Sequence, residues 1–157
     1  MQGNKRNNPW HSIDYHPDSP KIINTVIEIN KGEHGKYELH KDSGILMLDR
    51  VLHSAVYYPQ NYGFIPKTYW EDDDPLDVLV MCSIPIKSMC LVEAKVIGGL
   101  LMYDGNESDD KIIAVCNNDP SVSFYNNLDE VPKHLVKEIE RFFMEYKNLE
   151  GKKTSVD

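Results

Sequence analysis

At 157 residues the chain is long enough to bury a substantial core as one domain over residues 1–157, and its 41% hydrophobic and 27% charged composition is ordinary for a soluble globular protein. The formal net charge of −8 disfavours nonspecific binding to nucleic acid or to an anionic membrane surface, so an anionic substrate must be drawn in by local lysines, arginines or bound metal. Cys82, Cys90 and Cys116 sit among apolar residues with no metal-ligand spacing and read as reduced, buried thiols of a cytoplasmic protein.

Residues 1–20 read as an irregular leader, polar and broken by prolines, with no hydrophobic signal segment; Trp10 tacks it onto the domain. No apolar stretch reaches membrane-spanning length. Residues 23–29 alternate as a strand, with Ile23, Thr25, Ile27 and Ile29 on one face and Asn24, Val26 and Glu28 on the other. Residues 36–40 alternate again, and the turn Lys41-Asp42-Ser43-Gly44 leads into a return strand over 45–52, a hairpin. Residues 57–66 hold two prolines and a glycine among aromatics, a shaped loop or short strand. Further strands are expected at 76–82, 91–97 and 111–116, with an acidic turn over 104–110. One strong helix is expected from Pro132 to Lys147, where Leu135, Ile139, Phe142 and Tyr146 follow helical spacing beside Val136 and Phe143. Several short strands and one main helix predict a small, strongly twisted sheet or closed barrel with the helix packed on it.

The run Glu71-Asp72-Asp73-Asp74-Pro75-Leu76-Asp77-Val78 places four aspartates in six positions, 72–77, and then turns into apolar Leu79-Val80-Met81. Two such charges about 4 Å apart repel by about 4 kcal/mol at an effective dielectric near 20, so the cluster is either fully solvated or neutralised by a cation. The hydrophobic strand beside it anchors it to a core and argues against full solvation. Magnesium prefers oxygen ligands and joins a few carboxylates to substrate phosphates. An EF-hand does not fit, since Asp77 falls where that loop needs glycine. From the residues alone, a solvated acidic loop and a metal site both stay open; the second acidic turn, Glu28 and Glu38 favour the metal. Lys36, Arg50, Lys111 and Lys147 lie near these acids, and together they describe cations and carboxylates around an oxyanion, with phosphate the natural candidate. The six histidines share no metal-ligand spacing and read as structural or surface residues.

Asp72-Asp73-Asp74-Pro75-Leu76-Asp77-Val78 resembles the signature of the soluble family I inorganic pyrophosphatases. Val26-Ile27-Glu28-Ile29, Lys36-Tyr37-Glu38, Asp49-Arg50, Tyr58-Pro59-Gln60-Asn61-Tyr62-Gly63, Asp104, Asp109-Asp110-Lys111 and Phe142-Phe143 with Tyr146-Lys147 resemble its other motifs in the same order. The likeness covers residues 9–150 and is to the plant and bacterial type. It implies a mainly β, α+β fold: a five-stranded closed barrel of the oligonucleotide-binding type, with flanking strands and an external C-terminal helix. It implies hydrolysis of pyrophosphate to two orthophosphates by in-line attack of a metal-activated water or hydroxide, with several Mg²⁺ ions and no covalent intermediate. By the same resemblance Asp74 is the general base, and Asp72, Asp77, Asp104, Asp109 and Glu28 serve the metals. Lys36, Arg50, Lys111, Tyr146 and Lys147 contact phosphate, while Glu38, Tyr58 and Tyr62 line the site, Tyr62 on the nucleophile side. The family also implies a homo-oligomer, a homohexamer in the bacterial type, and a further segment after the last helix. Two rivals are a barrel that binds single-stranded nucleic acid, opposed by the acidic charge, and an acidic ion-binding module without chemistry.

Overall fold

The computed structural model describes residues 8–68 and 75–156. The strands are β1 (Ile22–Ile29), β2 (Gly35–Leu39), β3 (Leu46–Val51), β4 (Asn61–Phe64) and β5 (Asp77–Met81). They continue with β6 (Leu91–Leu100), β7 (Met102–Asp104), β8 (Glu107–Ser108), β9 (Lys111–Cys116) and β10 (Thr154–Val156). The helices are α1 (Pro9–Ser12) and α2 (Lys133–Glu145). Five strands close a barrel in the order β1-β4-β5-β9-β6, with β5 and β9 parallel and every other pair antiparallel. This is the expected closed barrel, and closure leaves those five strands no open edge. The hairpin β2–β3 and the small sheet β10-β7-β8 flank it.

Alternation along the barrel strands divides the core. Val78, Val80 and Cys82 of the β5 segment pack with Ile23, Ile27, Val92, Ala94 and Ala114 in one cluster. Leu79 and Met81 face the other way and join Ile113, Val115, Ile139, Phe142, Phe143 and Tyr146, the cluster between the barrel's outer surface and α2. Successive residues of β5 therefore serve two cores, which is why this strand reads as a continuous apolar run. The helical stripe expected from spacing is present, with Ile139, Phe142 and Phe143 buried and Leu135 and Val136 partly covered.

The structure corrects the reading of β1. Ile27 and Ile29 do not share a face: Ile27 joins the barrel cluster and Ile29 the cluster beneath α2. The cause is an irregularity in the β1–β4 pairing, where Ile27 opposes Gly63 and Ile29 opposes Tyr62. A bulge adds one residue to one strand and reverses the alternation beyond it. Glu28 sits at this irregularity and is buried rather than exposed.

Three smaller differences are local. Within the leader, Pro9–Ser12 forms one helical turn capped by Asn8, whose side chain accepts from the Trp10 backbone N–H. Trp10 then rests on Phe64, with ring centroids 5.4 Å apart, so it does tack the leader onto the barrel. Cys82 is buried while Cys90 and Cys116 are only half-buried, and all three are free thiols. No described helix is long and apolar enough to cross a membrane.

Gly63 is required by close backbone approach. A Cβ built there would lie 1.9 Å from the Val26 carbonyl oxygen, so a side chain cannot enter without parting β1 from β4. Gly63→Ala is expected to destabilise the protein by about 3 kcal/mol or more. Urea unfolding checks this, and an unchanged midpoint would contradict the close pairing.

Candidate active site

A cavity of about 270 Å³ opens where the barrel, the β2–β3 hairpin, the β7–β8 turn and the end of α2 meet. The barrel contributes Glu28, Tyr62, Asp77 and Lys111 to its lining, and the hairpin contributes Lys36 and Glu38. The acidic turn supplies Asp104 and Asp109, the end of α2 supplies Tyr146 and Lys147, and Tyr58 completes the wall. Ten of the predicted site residues and Tyr58 thus face one space, although they lie as far apart in sequence as positions 28 and 147.

Parallel pairing sets Asp77 beside Lys111 at the ends of β5 and β9. Lys111 Nζ donates to Asp77 Oδ2 at 2.7 Å and lies 2.9 Å from Asp109 Oδ1. Burial alone would lower the Lys111 pKa; the two carboxylates outweigh it and leave the net shift upward, so the ammonium stays charged. The Tyr62 and Phe143 rings lie 5.5 Å and 5.8 Å from Nζ, where their π faces attract a cation.

Asp104 is fixed differently. It ends β7, the central strand of the small sheet, opposite Glu107 of β8 and Thr154 of β10. The turn to β8 passes through Gly105 at φ +64°, a left-handed conformation that glycine adopts without penalty. Lys147 Nζ binds the Asp104 carboxylate. Asp110, from the same acidic turn, instead accepts the Met102 backbone N–H at 3.0 Å and does not line the cavity.

Glu28 Oε2 accepts the Leu39 N–H at 2.7 Å, which joins β1 to the hairpin. Burial pushes its carboxyl up to about 8; Asp77 and Glu38 add to the rise, while the Leu39 N–H and Lys36 oppose it. The phenols of Tyr58, Tyr62 and Tyr146 are also driven upward by burial, so they remain protonated hydrogen-bond donors at neutral pH. Tyr146 packs edge-on to Phe143 with centroids 5.6 Å apart, which ties its ring to the core beneath α2.

Two predicted residues, Asp72 and Asp74, lie outside the described residues. Arg50 does not line the cavity. It stands beside it, with Nη1 2.6 Å from Asp49 Oδ2 and Nε 2.6 Å from Glu150 Oε1. Lys36 connects this pair to the cavity, 3.4 Å from Asp49 and 3.2 Å from Glu38. Trp10 and Lys41 also line the cavity and were not expected there. Lys41 Nζ lies 4.6 Å over the Trp10 ring, so the leader and the hairpin turn together close one end. The sequence marks Trp10 as an anchor, but nothing in its spacing shows what it covers.

Among the described residues no three His, Cys, Asp or Glu side chains are grouped closely enough to hold a metal ion. The donor chemistry nevertheless fits a hard divalent cation. Every candidate ligand is a carboxylate, and the buried Glu28 carboxyl is held neutral until a positive charge approaches.

Comparison with known proteins agrees with this architecture. A family model described as Inorganic pyrophosphatase matches residues 25–157. The chain is 49% identical to a soluble inorganic pyrophosphatase of Solanum tuberosum, over 95% of this chain and 71% of that protein. It is 50% identical to soluble inorganic pyrophosphatase 4 of Arabidopsis thaliana, over 95% of this chain and 69% of that one. Its fold is similar to the inorganic pyrophosphatase of Thermus thermophilus at a TM-score of 0.90 and 39% identity, covering 95% of this chain and 87% of the other.

The neutral Glu28 carboxyl sets a sign for pH dependence in metal-free protein. Its folded pKa of about 8 exceeds the ordinary 4.5. The folded state therefore binds the extra proton, and stability falls as pH rises from about 5 to 8. The loss is on the order of 3–5 kcal/mol. Glu28→Gln should remove most of that slope and be the more stable protein at pH 8 in chelator. Parallel slopes for the two proteins in urea unfolding would refute the buried neutral carboxyl.

Proposed function

Because the chain belongs to the inorganic pyrophosphatase family and is an inorganic diphosphatase, we propose that it splits pyrophosphate by direct in-line attack of water, with no covalent intermediate. The observation that carries this reading is one cavity in which Glu28, Asp77, Asp104 and Asp109 face Lys36, Lys111 and Lys147. Carboxylates alone would repel the substrate, and lysines alone would leave no place for cations. Their mixture suits an anion that arrives with counter-charge.

Asp77, Asp104 and Asp109, with Asp72 and Glu28, are the residues that would hold divalent cations, taken as several Mg²⁺ ions because every donor is oxygen. When bound, such ions screen the substrate's charge and acidify the attacking water. Asp74 would accept the proton of the attacking water; its role and that of Asp72 rest on the resemblance of the acidic run. In the structure Lys111 is spent on Asp77 and Asp109, and Lys147 on Asp104. Were those carboxylates to hold cations, the ammonium groups of Lys111 and Lys147 would be available to donate to phosphate oxygens. Lys36 and Arg50 approach from the hairpin side, with Glu38 orienting Lys36 at 3.2 Å. The Tyr62 hydroxyl donates on the nucleophile side and Tyr146 on the leaving side, both kept protonated by burial.

Three free thiols support a reducing compartment such as the cytoplasm. Met47, Leu48 and Val51 stand exposed on β3 and support self-association, read here as the homohexamer implied by the bacterial type. Neither a nucleic acid nor a membrane is part of the reading.

Orthophosphate release from pyrophosphate, measured with Mg²⁺ and again in chelator, tests the activity and its metal dependence together. Asp74→Asn is expected to lower turnover by about 10²–10⁴-fold while cation binding persists. Wild-type turnover in that variant would remove Asp74 from its role.

A further inference from the structure

Arg50 is unusual among the described site residues because it is charged, largely covered and yet outside the cavity lining. Its side chain is 23% exposed, and its Nη2 is buried without a hydrogen-bond partner among the described residues. Nε lies 2.6 Å from Glu150 Oε1, an attraction of charges in which the N–H is not aimed along a hydrogen bond. The Glu150 side chain is only 9% exposed, and its second oxygen, Oε2, is also buried without a partner. Buried polar groups in folded proteins are nearly always paired, so unspent donors beside a cavity need a reason. A planar guanidinium with free N–H groups is the usual fork for a phosphate oxyanion.

Glu150 ends the 3-10 turn Asn148–Glu150, immediately after Lys147, which reaches Asp104. The segment that delivers one cation into the cavity therefore tethers a second beside it. Glu38, Lys36, Asp49, Arg50 and Glu150 form one chain of alternating charge from the cavity wall to this turn.

We propose that Glu150 is a positioning residue for substrate binding: it tethers Arg50 beside the cavity by charge, so that a small swing of the guanidinium carries its unpartnered Nη2 from its buried position to a phosphate oxygen. The inference rests on reading Arg50 as a phosphate-binding group. Without the Glu150 carboxylate, Arg50 falls back on Asp49 alone and must be ordered when substrate arrives.

Glu150→Gln keeps the shape of the side chain and removes its charge. It should raise KM for magnesium pyrophosphate by about two- to tenfold, the cost of immobilising one long side chain at binding, with little change in kcat. Glu150→Asp, which restores the charge on a shorter arm, should recover most of the loss. Arg50→Ala should raise KM further, and Glu150→Gln should add nothing in that background. Orthophosphate affinity by calorimetry should follow the same pattern without turnover, so a failed catalytic reading and a failed Glu150 link are distinguishable. The Arg50 Nε–Hε resonance should broaden or shift in Glu150→Gln. An unchanged KM and phosphate affinity, effects that add to those of Arg50→Ala, or an unaltered Arg50 resonance would each overturn the proposal.

Discussion

Lys111 is the constraint around which the cavity is arranged. An ammonium group whose side chain is 2% exposed is tolerated only because Asp77 and Asp109 both reach it. The register of β5 against β9 makes that possible, since Asp77 and Lys111 are direct neighbours across a parallel pair. Each carboxylate in turn depends on the lysine, because two aspartates crowded on one side of a cavity repel without a shared cation. Tyr62 and Phe143 complete the enclosure with ring faces toward the charge. Removing Lys111 would leave two neighbouring carboxylates without their shared cation, and removing either carboxylate would halve the charge that compensates the buried ammonium.

That balance bears on how an acidic protein handles an anionic substrate. The chain carries a net charge of −8, yet within the cavity each described aspartate is paired with a lysine. Incoming cations and incoming phosphate are complementary to the two halves of those pairs. If they enter together, as the proposed function requires, the carboxylates would exchange lysine for metal and the lysines carboxylate for phosphate. No buried charge then stands alone at either end of the exchange, which keeps its cost low in a poorly solvated space. Glu28 follows the same logic by another route, since burial favours its neutral carboxyl and outweighs the opposing pull of the Leu39 N–H and Lys36.

Much of this was legible in the sequence, and the exceptions have physical reasons. Alternation located β1 and the hairpin, the strands expected at 76–82, 91–97 and 111–116 match β5, β6 and β9, and helical spacing located α2, because patterns of burial are a local signal. The acidic clusters and nearby lysines pointed to one site, and ten of the residues named by the motifs line one cavity, while Asp72 and Asp74 lie outside the described residues and Arg50 stands beside the cavity. The β1 irregularity was not legible: it depends on Gly63 lying against the Val26 carbonyl, a contact between strands. Strand β10 is only three residues long and is defined by its pairing with β7, so no run of its own announces it. The same holds for Glu150, an ordinary surface glutamate in sequence that becomes significant only when the 3-10 turn brings it to Arg50.

Folding and site assembly are coupled most tightly at the C-terminal end of α2. Tyr146 belongs to the apolar cluster beneath the helix and also lines the cavity, so the packing that seats α2 also sets the phenol's position. The next residue, Lys147, reaches Asp104, and three positions later Glu150 reaches Arg50. Thr154 then binds the Phe143 carbonyl and pairs with Asp104 across β10 and β7. Within about two turns of chain the protein therefore docks a helix, closes a sheet and places two cations. A helix that docked one residue out of register would lose the core contact and the charges together. The hydrophobic stripe of α2 thus acts as a gauge for the active site, and the geometry of the cations is inherited from the packing of Phe142 and Phe143.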